Sequence, residues 1–268
     1  MPQAGARKRI VIALDTGSLS RMAITAAARL ATGLRAELQA LFIEDVNLRR
    51  LAGLPFAQEL GITSAQPRRF DVAELERSIG AQTQQVRRAL EAAARELPLI
   101  WSLEVVRGDL VAVVLERTEA ADLLVLGRTR RPPFHGVHGE HTLRRRERRA
   151  GGHVIVAIFD GSAAAGRVLE AALVLERRAH GGVLVAIPAQ RPQQGTALRA
   201  QADAMLKARA HAPSGYVVMP DAGIATIAET AKRHHAGAVL LPVVDLARAE
   251  HEFEGLVDEI ACPVVLIR

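Results

Sequence analysis

The sequence predicts an α/β fold in which one unit occurs twice: two open parallel sheets in tandem, each with helices on both faces. Two observations predict it. Short apolar, partly β-branched runs alternate with stretches of helical period through the first 127 residues. After residue 152 the same series of runs returns, with an acidic residue again closing its first strand. Strands alternating with helices pair in parallel, because each crossover places a helix over the sheet. A return of that pattern marks a repeat.

The first strand is Ile10-Val-Ile-Ala-Leu14, which ends at Asp15-Thr-Gly-Ser18. A continuous apolar run of this length suits a strand covered on both faces. Ser18 can cap a helix running to about Thr32, and Gly33 can stop it. Glu37 to Ile43 is a second strand. Residues 44–70 carry Gly53, Pro55, Gly61 and Pro67 and are expected to be irregular. Within them Leu48, Leu51, Leu54, Pro55 and Phe56 suit a lid over the first crevice, a plug, a partner-binding patch or a packed excursion over the sheet edge.

Asp71, with Glu74 three positions on, opens a long helix whose apolar residues 72, 75, 79, 86, 90, 93 and 97 form one stripe. Leu99 to Val106 is a third strand, Asp109 caps a short helix, and Asp122 to Gly127 is a fourth strand. In the second copy the strands are Val154 to Phe159, Gly182 to Ile187, Tyr216 to Met219 and Ala238 to Leu241. A helix near 249–261 and a fifth strand, Pro263 to Ile267, follow. Asp15 and Asp160 stand 145 positions apart, as do Phe42 and Ile187. Asp109 and Asp221 stand 112 apart, because only the first copy carries the 44–70 segment. The first copy shows no fifth strand of its own. The expected domains are 1–127, with 44–70 as an insertion, then an Arg-rich linker or degenerate phosphate loop over 128–152, then 153–268.

Composition narrows the function classes. The chain has 268 residues, 49% hydrophobic and 24% charged, enough to bury a core. Aromatic residues make up only 3%, which argues against a site built on stacked bases or sugars. The single cysteine, Cys262, excludes an intrachain disulfide and an all-cysteine metal site, and suits an inert thiol in the core. No run approaches 18 uncharged apolar residues, so no membrane span is expected and the cytoplasm is the expected compartment. The net charge of +6 is uneven: residues 1–150 are net +7 and residues 151–268 net −1. Eight arginines against two glutamates fall within 127–149.

Several residues carry a likeness to a known family. Arg9-Ile-Val-Ile-Ala-Leu-Asp15 with Ser18, Ala40-Leu-Phe-Ile43, Gly108 with the short helix after it, and Ala120-Ala-Asp-Leu-Leu-Val-Leu-Gly127 resemble the universal stress protein family. So do Asp160-Gly-Ser162 and Ala261-Cys-Pro-Val-Val-Leu-Ile267. The resemblance spans nearly the whole chain apart from 44–70 and 128–150, as a tandem of two such domains. It implies a flavodoxin-like sheet, usually dimerised along the fifth strand. The chain would then be a pseudo-dimer of its own halves, or also a homodimer. It also implies, for some members, ATP at the carboxyl ends of the first and fourth strands. On this sequence that site would be Asp15, Thr16 and Ser18 after the first strand, Ile43 offering backbone to the base, and Gly127, Arg128, Thr129 and Arg130 opening the phosphate loop. The ligand would be ATP or AMP with Mg.

The phosphate loop departs from that family's pattern. Gly127 is present, but Arg130 stands where a second glycine belongs. Gly136 and Gly139 follow at another spacing, and Thr142 lacks a glycine before it. Arg128, Arg130 and Arg131 offer side-chain grip on phosphate in place of backbone N–H groups. The second copy has Pro242 at the first glycine position and is expected to have lost the site.

Other constellations favour plain structure. Arg144, Arg145, Arg146, Arg148 and Arg149 could neutralise phosphates of a nucleic acid or other polyanion. No nucleic-acid-binding module or aromatic interleaving accompanies them, so a solvated linker is the simpler account. His135, His138 and His141 fit no zinc spacing and are expected to be loop histidines, with no metal site. His234 and His235 close a helix. Ser18 and Ser162 suit helix caps, and no nucleophile, base and acid fall into a catalytic order. The expected role is a non-catalytic binding or regulatory protein of the stress response. Two alternatives stay open: an adenine-nucleotide switch in the first copy, and weak polyanion contact through 128–149.

Overall fold

Ile10 through Leu14 are exposed by no more than 1%, as a strand covered on both faces requires. The computed structural model describes residues 8–15, 20–47, 50, 54, 58–60, 67–69, 72–117, 121–127, 153–177, 181–243 and 259–268. The first unit runs β1 (Arg9–Asp15), α1 (Arg21–Leu34), β2 (Glu37–Asp45), β3 (Gln58–Leu60), β4 (Pro67–Arg69), α2 (Val72–Glu96), β5 (Trp101–Gly108), α3 (Leu110–Arg117) and β6 (Leu123–Leu126). The second runs β7 (Val154–Ile158), α4 (Ala165–Glu176), β8 (Val183–Pro188), α5 (Pro192–Lys207), β9 (Gly215–Met219), α6 (Ile224–Arg233), β10 (Ala236–Pro242) and β11 (Val264–Ile267).

The local chemistry differs from expectation at several ends. Ser20, not Ser18, caps α1, its side chain accepting from the Ala23 N–H at 3.2 Å; Ser18 lies outside the described residues. The buried stripe of α1 runs from Ala23 and Ile24 to Ala31, so its first buried residue stands three positions after the Ser20 cap. Gly33 does not stop α1. The helix runs to Leu34, and Arg35 takes the left-handed turn at φ 53°. Ser162 does not cap α4 either: the N-cap is Ala164, and Ser162 sits in a turn. The third strand is shifted two residues along, to Trp101–Gly108. The 44–70 segment is not wholly irregular, since β3 and β4 pair antiparallel within it. Asp109 caps α3 as predicted, accepting from the Val111 and Ala112 N–H groups. Asp221 does not cap α6, whose N-cap is Gly223, but holds the turn before it, accepting from the Gly223 N–H and the Thr226 hydroxyl. The predicted 249–261 helix lies mostly outside the described residues.

Both predicted parallel sheets are present, and they are joined edge to edge into one sheet of nine strands. Its order is β5-β2-β1-β6-β11-β10-β7-β8-β9. In each unit the strands lie in the order third, second, first, fourth. β11 then serves as the fifth strand of both. It pairs parallel with β10 and antiparallel with β6. Helices α1, α2, α4 and α5 cover one face, with Ile12, Leu14, Phe42, Val125, Ile155 and Val265 in that core. Helices α3 and α6 cover the other, with Val11, Ile43, Leu126, Val156 and Leu266.

The units also meet through α1 and α4. A Cβ on Gly33 would lie 2.3 Å from Val174 Cγ1, too close for any side chain, so glycine here lets two helices approach across the seam. Gly33→Ala is therefore expected to destabilise the chain by about 1–3 kcal/mol through overpacking, despite alanine's better helix propensity. Urea unfolding of Gly33→Ala, Val174→Ala and the double variant checks this, with Val174→Ala expected to relieve the clash in the double variant.

Candidate functional site

In a sheet of this order the connections turn opposite ways from the first and fourth strands, which leaves a crevice beyond their carboxyl ends. In the first unit those strands are β1 and β6. Asp15 ends β1 and stands in register with Ile43 on β2, which is 1% exposed. Gly127 follows β6 directly and is buried. A Cβ there would meet Ser20 Cβ at 3.0 Å, Ala23 Cβ at 3.6 Å and Leu14 Cδ2 at 3.6 Å. The end of β6 is thus pressed against the first turn of α1, whose positive end suits an anion. Asp15 and Ile43 pair in register, and Gly127 follows Leu126, which pairs with Ala13 of β1. Thr16, Ser18, Arg128, Thr129 and Arg130 lie outside the described residues, as do Arg144, Arg145, Arg146, Arg148 and Arg149.

Carboxylates dominate the described rim. Glu44 accepts from Arg107 Nε at 2.9 Å, and Asp45 accepts from the Asn47 N–H at 2.7 Å. Arg107 is largely exposed, so this pair adds little to stability. With Asp15 and Asp109 nearby in the topology, an anionic ligand here needs added positive charge, from a divalent cation or from basic side chains.

The second crevice, beyond β7 and β10, is built differently. Asp160 Oδ1 accepts from the Ser162 N–H at 2.8 Å. Gly161 turns at φ +79°, and the place of its Cβ is taken by α5, with Leu198 Cδ2 at 2.6 Å and Gln201 Oε1 at 3.4 Å. Pro242 ends β10 where Gly127 ends β6. The Ser162 hydroxyl is buried without a hydrogen-bond partner among the described residues. Among the described residues, Leu198 packs onto the turn and a proline stands at the strand end, where a phosphate cradle would need small residues.

Two features of the first crevice escaped sequence reasoning. Ser20 is both cap and contact for Gly127, and its signal was the start of the buried α1 stripe. The other is the head of β11, which enters from the second unit beside Gly127; only pairing across the seam reveals it. Cys262 sits there, buried, and burial pushes its thiol up to about 12, so it stays protonated at neutral pH. Among the described residues no group of three or more His, Cys, Asp or Glu side chains could hold a metal ion. No described helix is long and apolar enough to cross a membrane.

The description of the universal stress protein family matches residues 6–142, just over half of the chain. No curated protein is matched. Among solved structures, a universal stress protein from Archaeoglobus fulgidus DSM 4304 is similar over 96% of each chain, at 13% identity and TM-score 0.52. A putative universal stress protein from Pseudomonas aeruginosa UCBPP-PA14 is similar over 98% of this chain and 93% of that one, at 12% identity and TM-score 0.49. A universal stress protein in complex with cAMP is similar over 44% of this chain and 98% of that one, at 17% identity and TM-score 0.37. The first of these shares the fold across both units. On the family match, the chain belongs to the universal stress protein family.

Proposed function

We propose that the chain is a non-catalytic binding or regulatory protein of the stress response, with one ligand site, the first-unit crevice, for an adenine nucleotide. The observation that carries this reading is the meeting of Asp15, buried Gly127 and the first turn of α1 at the switch point. That arrangement offers a carboxylate for the nucleoside side and a helix start for phosphate. Magnesium carried by the nucleotide's own phosphates would offset their repulsion from the rim carboxylates. Arg128 and Arg130, which follow Gly127 in the sequence, would replace the missing glycine cradle with side-chain donors. The second unit, with Pro242 and Leu198 in the way, would serve as structural partner and not as a second site.

Thermal melts of the full chain with and without Mg-ATP test the reading. A ligand selective for the folded state stabilises it by about 2.7 kcal/mol at one hundred times its Kd. A raised midpoint with Mg-ATP is the expected result. An unchanged midpoint at millimolar Mg-ATP removes the nucleotide reading, and steady release of phosphate on incubation would contradict a non-catalytic role.

A further inference from the structure

The antiparallel ladder between β6 and β11 sets Leu126 opposite Val264 and Leu123 opposite Ile267. One step beyond Leu126, Gly127 and Pro263 therefore face each other at the rim of the first crevice, with neighbouring strands about 4.8 Å apart. The residues leading into Pro263 turn into the core. Ile260 is 1% exposed and Cys262 7%, in the same apolar cluster as Ala13, Ile43 and Leu126. The wall beside Gly127 thus comes from the second unit. The same strand is held on its other edge by β10, where the Val239 N–H donates to the Pro263 carbonyl at 3.0 Å.

We infer that β11 couples the first crevice to the second unit: a ligand gripping the Gly127 backbone tightens the β6–β11 seam, and loosening that seam weakens the ligand's hold. The inference rests on the nucleotide reading above. Gly127 is pressed against the α1 turn and directly follows Leu126, which β11 holds at Val264, so its position depends on both. Coupling of this kind is reciprocal between ligand and seam.

The test measures Mg-ATP affinity of the full chain in wild type, Ile267→Ala and Ile187→Ala. Ile267 lies at the far end of β11, about 13 Å along the strand from Pro263, so it does not touch the crevice. Ile187 is equally buried but belongs to β8, away from the seam. Coupling predicts that Ile267→Ala raises the Kd for Mg-ATP by about five-fold or more, the lower end of the usual range. Ile187→Ala should leave it unchanged at matched folded fraction. Should either alanine variant not fold, valine replaces it at the same position. Equal Kd in all three proteins overturns the inference and leaves the nucleotide reading standing. No binding by wild type overturns both.

Discussion

Val265→Asp is expected to unfold the entire chain, not merely to release its last strand. Val265 is fully buried at the centre of β11, opposite Val125 on β6 and Leu240 on β10. Its core holds residues of α1 and α4 together, so the new carboxylate would lie among apolar side chains of both units. An ion moved into such a place costs several kcal/mol even after relaxation. Native domains are stable by only about 5–15 kcal/mol, so this single change consumes a large part of the total. Urea unfolding followed by circular dichroism is the measurement. The expected outcome is loss of structure in both units together. A variant whose first unit keeps a native transition would mean that β6 does not need β11.

Phe42→Ala should lower stability by about 3–5 kcal/mol, the usual range for emptying a buried phenylalanine site. Phe42 is 1% exposed on β2 and is one of the largest fully buried side chains. In a chain of this size that loss lowers the melting temperature by on the order of 10 °C. Val105 on β5 stands in register beside it yet is 44% exposed, so Val105→Ala should change stability by less than about 0.5 kcal/mol. Differential scanning calorimetry of the two variants tests the contrast. Similar losses at both positions would contradict the burial assigned to this edge of the sheet.

Much of the fold was legible because its signals are local. Ile10 to Leu14 and Leu123 to Leu126 are short apolar runs that only a doubly covered strand can use. Asp109 and Asp221 announce their helices through side chains that reach two or more residues ahead. The seam was not legible. Nothing in Val264-Val-Leu-Ile267 distinguishes a strand that closes one sheet from a strand that joins two, since either is buried on both faces. Pairing between residues 138 positions apart, Leu126 and Val264, leaves no trace in periodicity. The same holds for the site. Asp15, Ile43 and Gly127 follow from strand ends and the family likeness. The packing of Ser20 onto Gly127, that of Leu198 beside Gly161, and the arrival of Cys262 and Pro263 depend on tertiary approach. Gly33 likewise looks like a helix stop in sequence and proves to be a contact point against Val174.

Amide hydrogen exchange within β11 tests the shared strand most directly. Successive residues of a strand direct their N–H groups to opposite neighbours. The Arg268 N–H donates to the Asp122 carbonyl on the β6 side, whereas the Pro263 and Ile267 carbonyls accept from Val239 and Val243 on the β10 side. Val264 and Leu266 therefore donate toward β6, and Val265 and Ile267 toward β10. One continuous sheet predicts that all four amides are protected to a similar degree. Fast exchange at Val264 and Leu266, with slow exchange at Val265 and Ile267, would mean that the two units are separate sheets and that β11 belongs to the second alone.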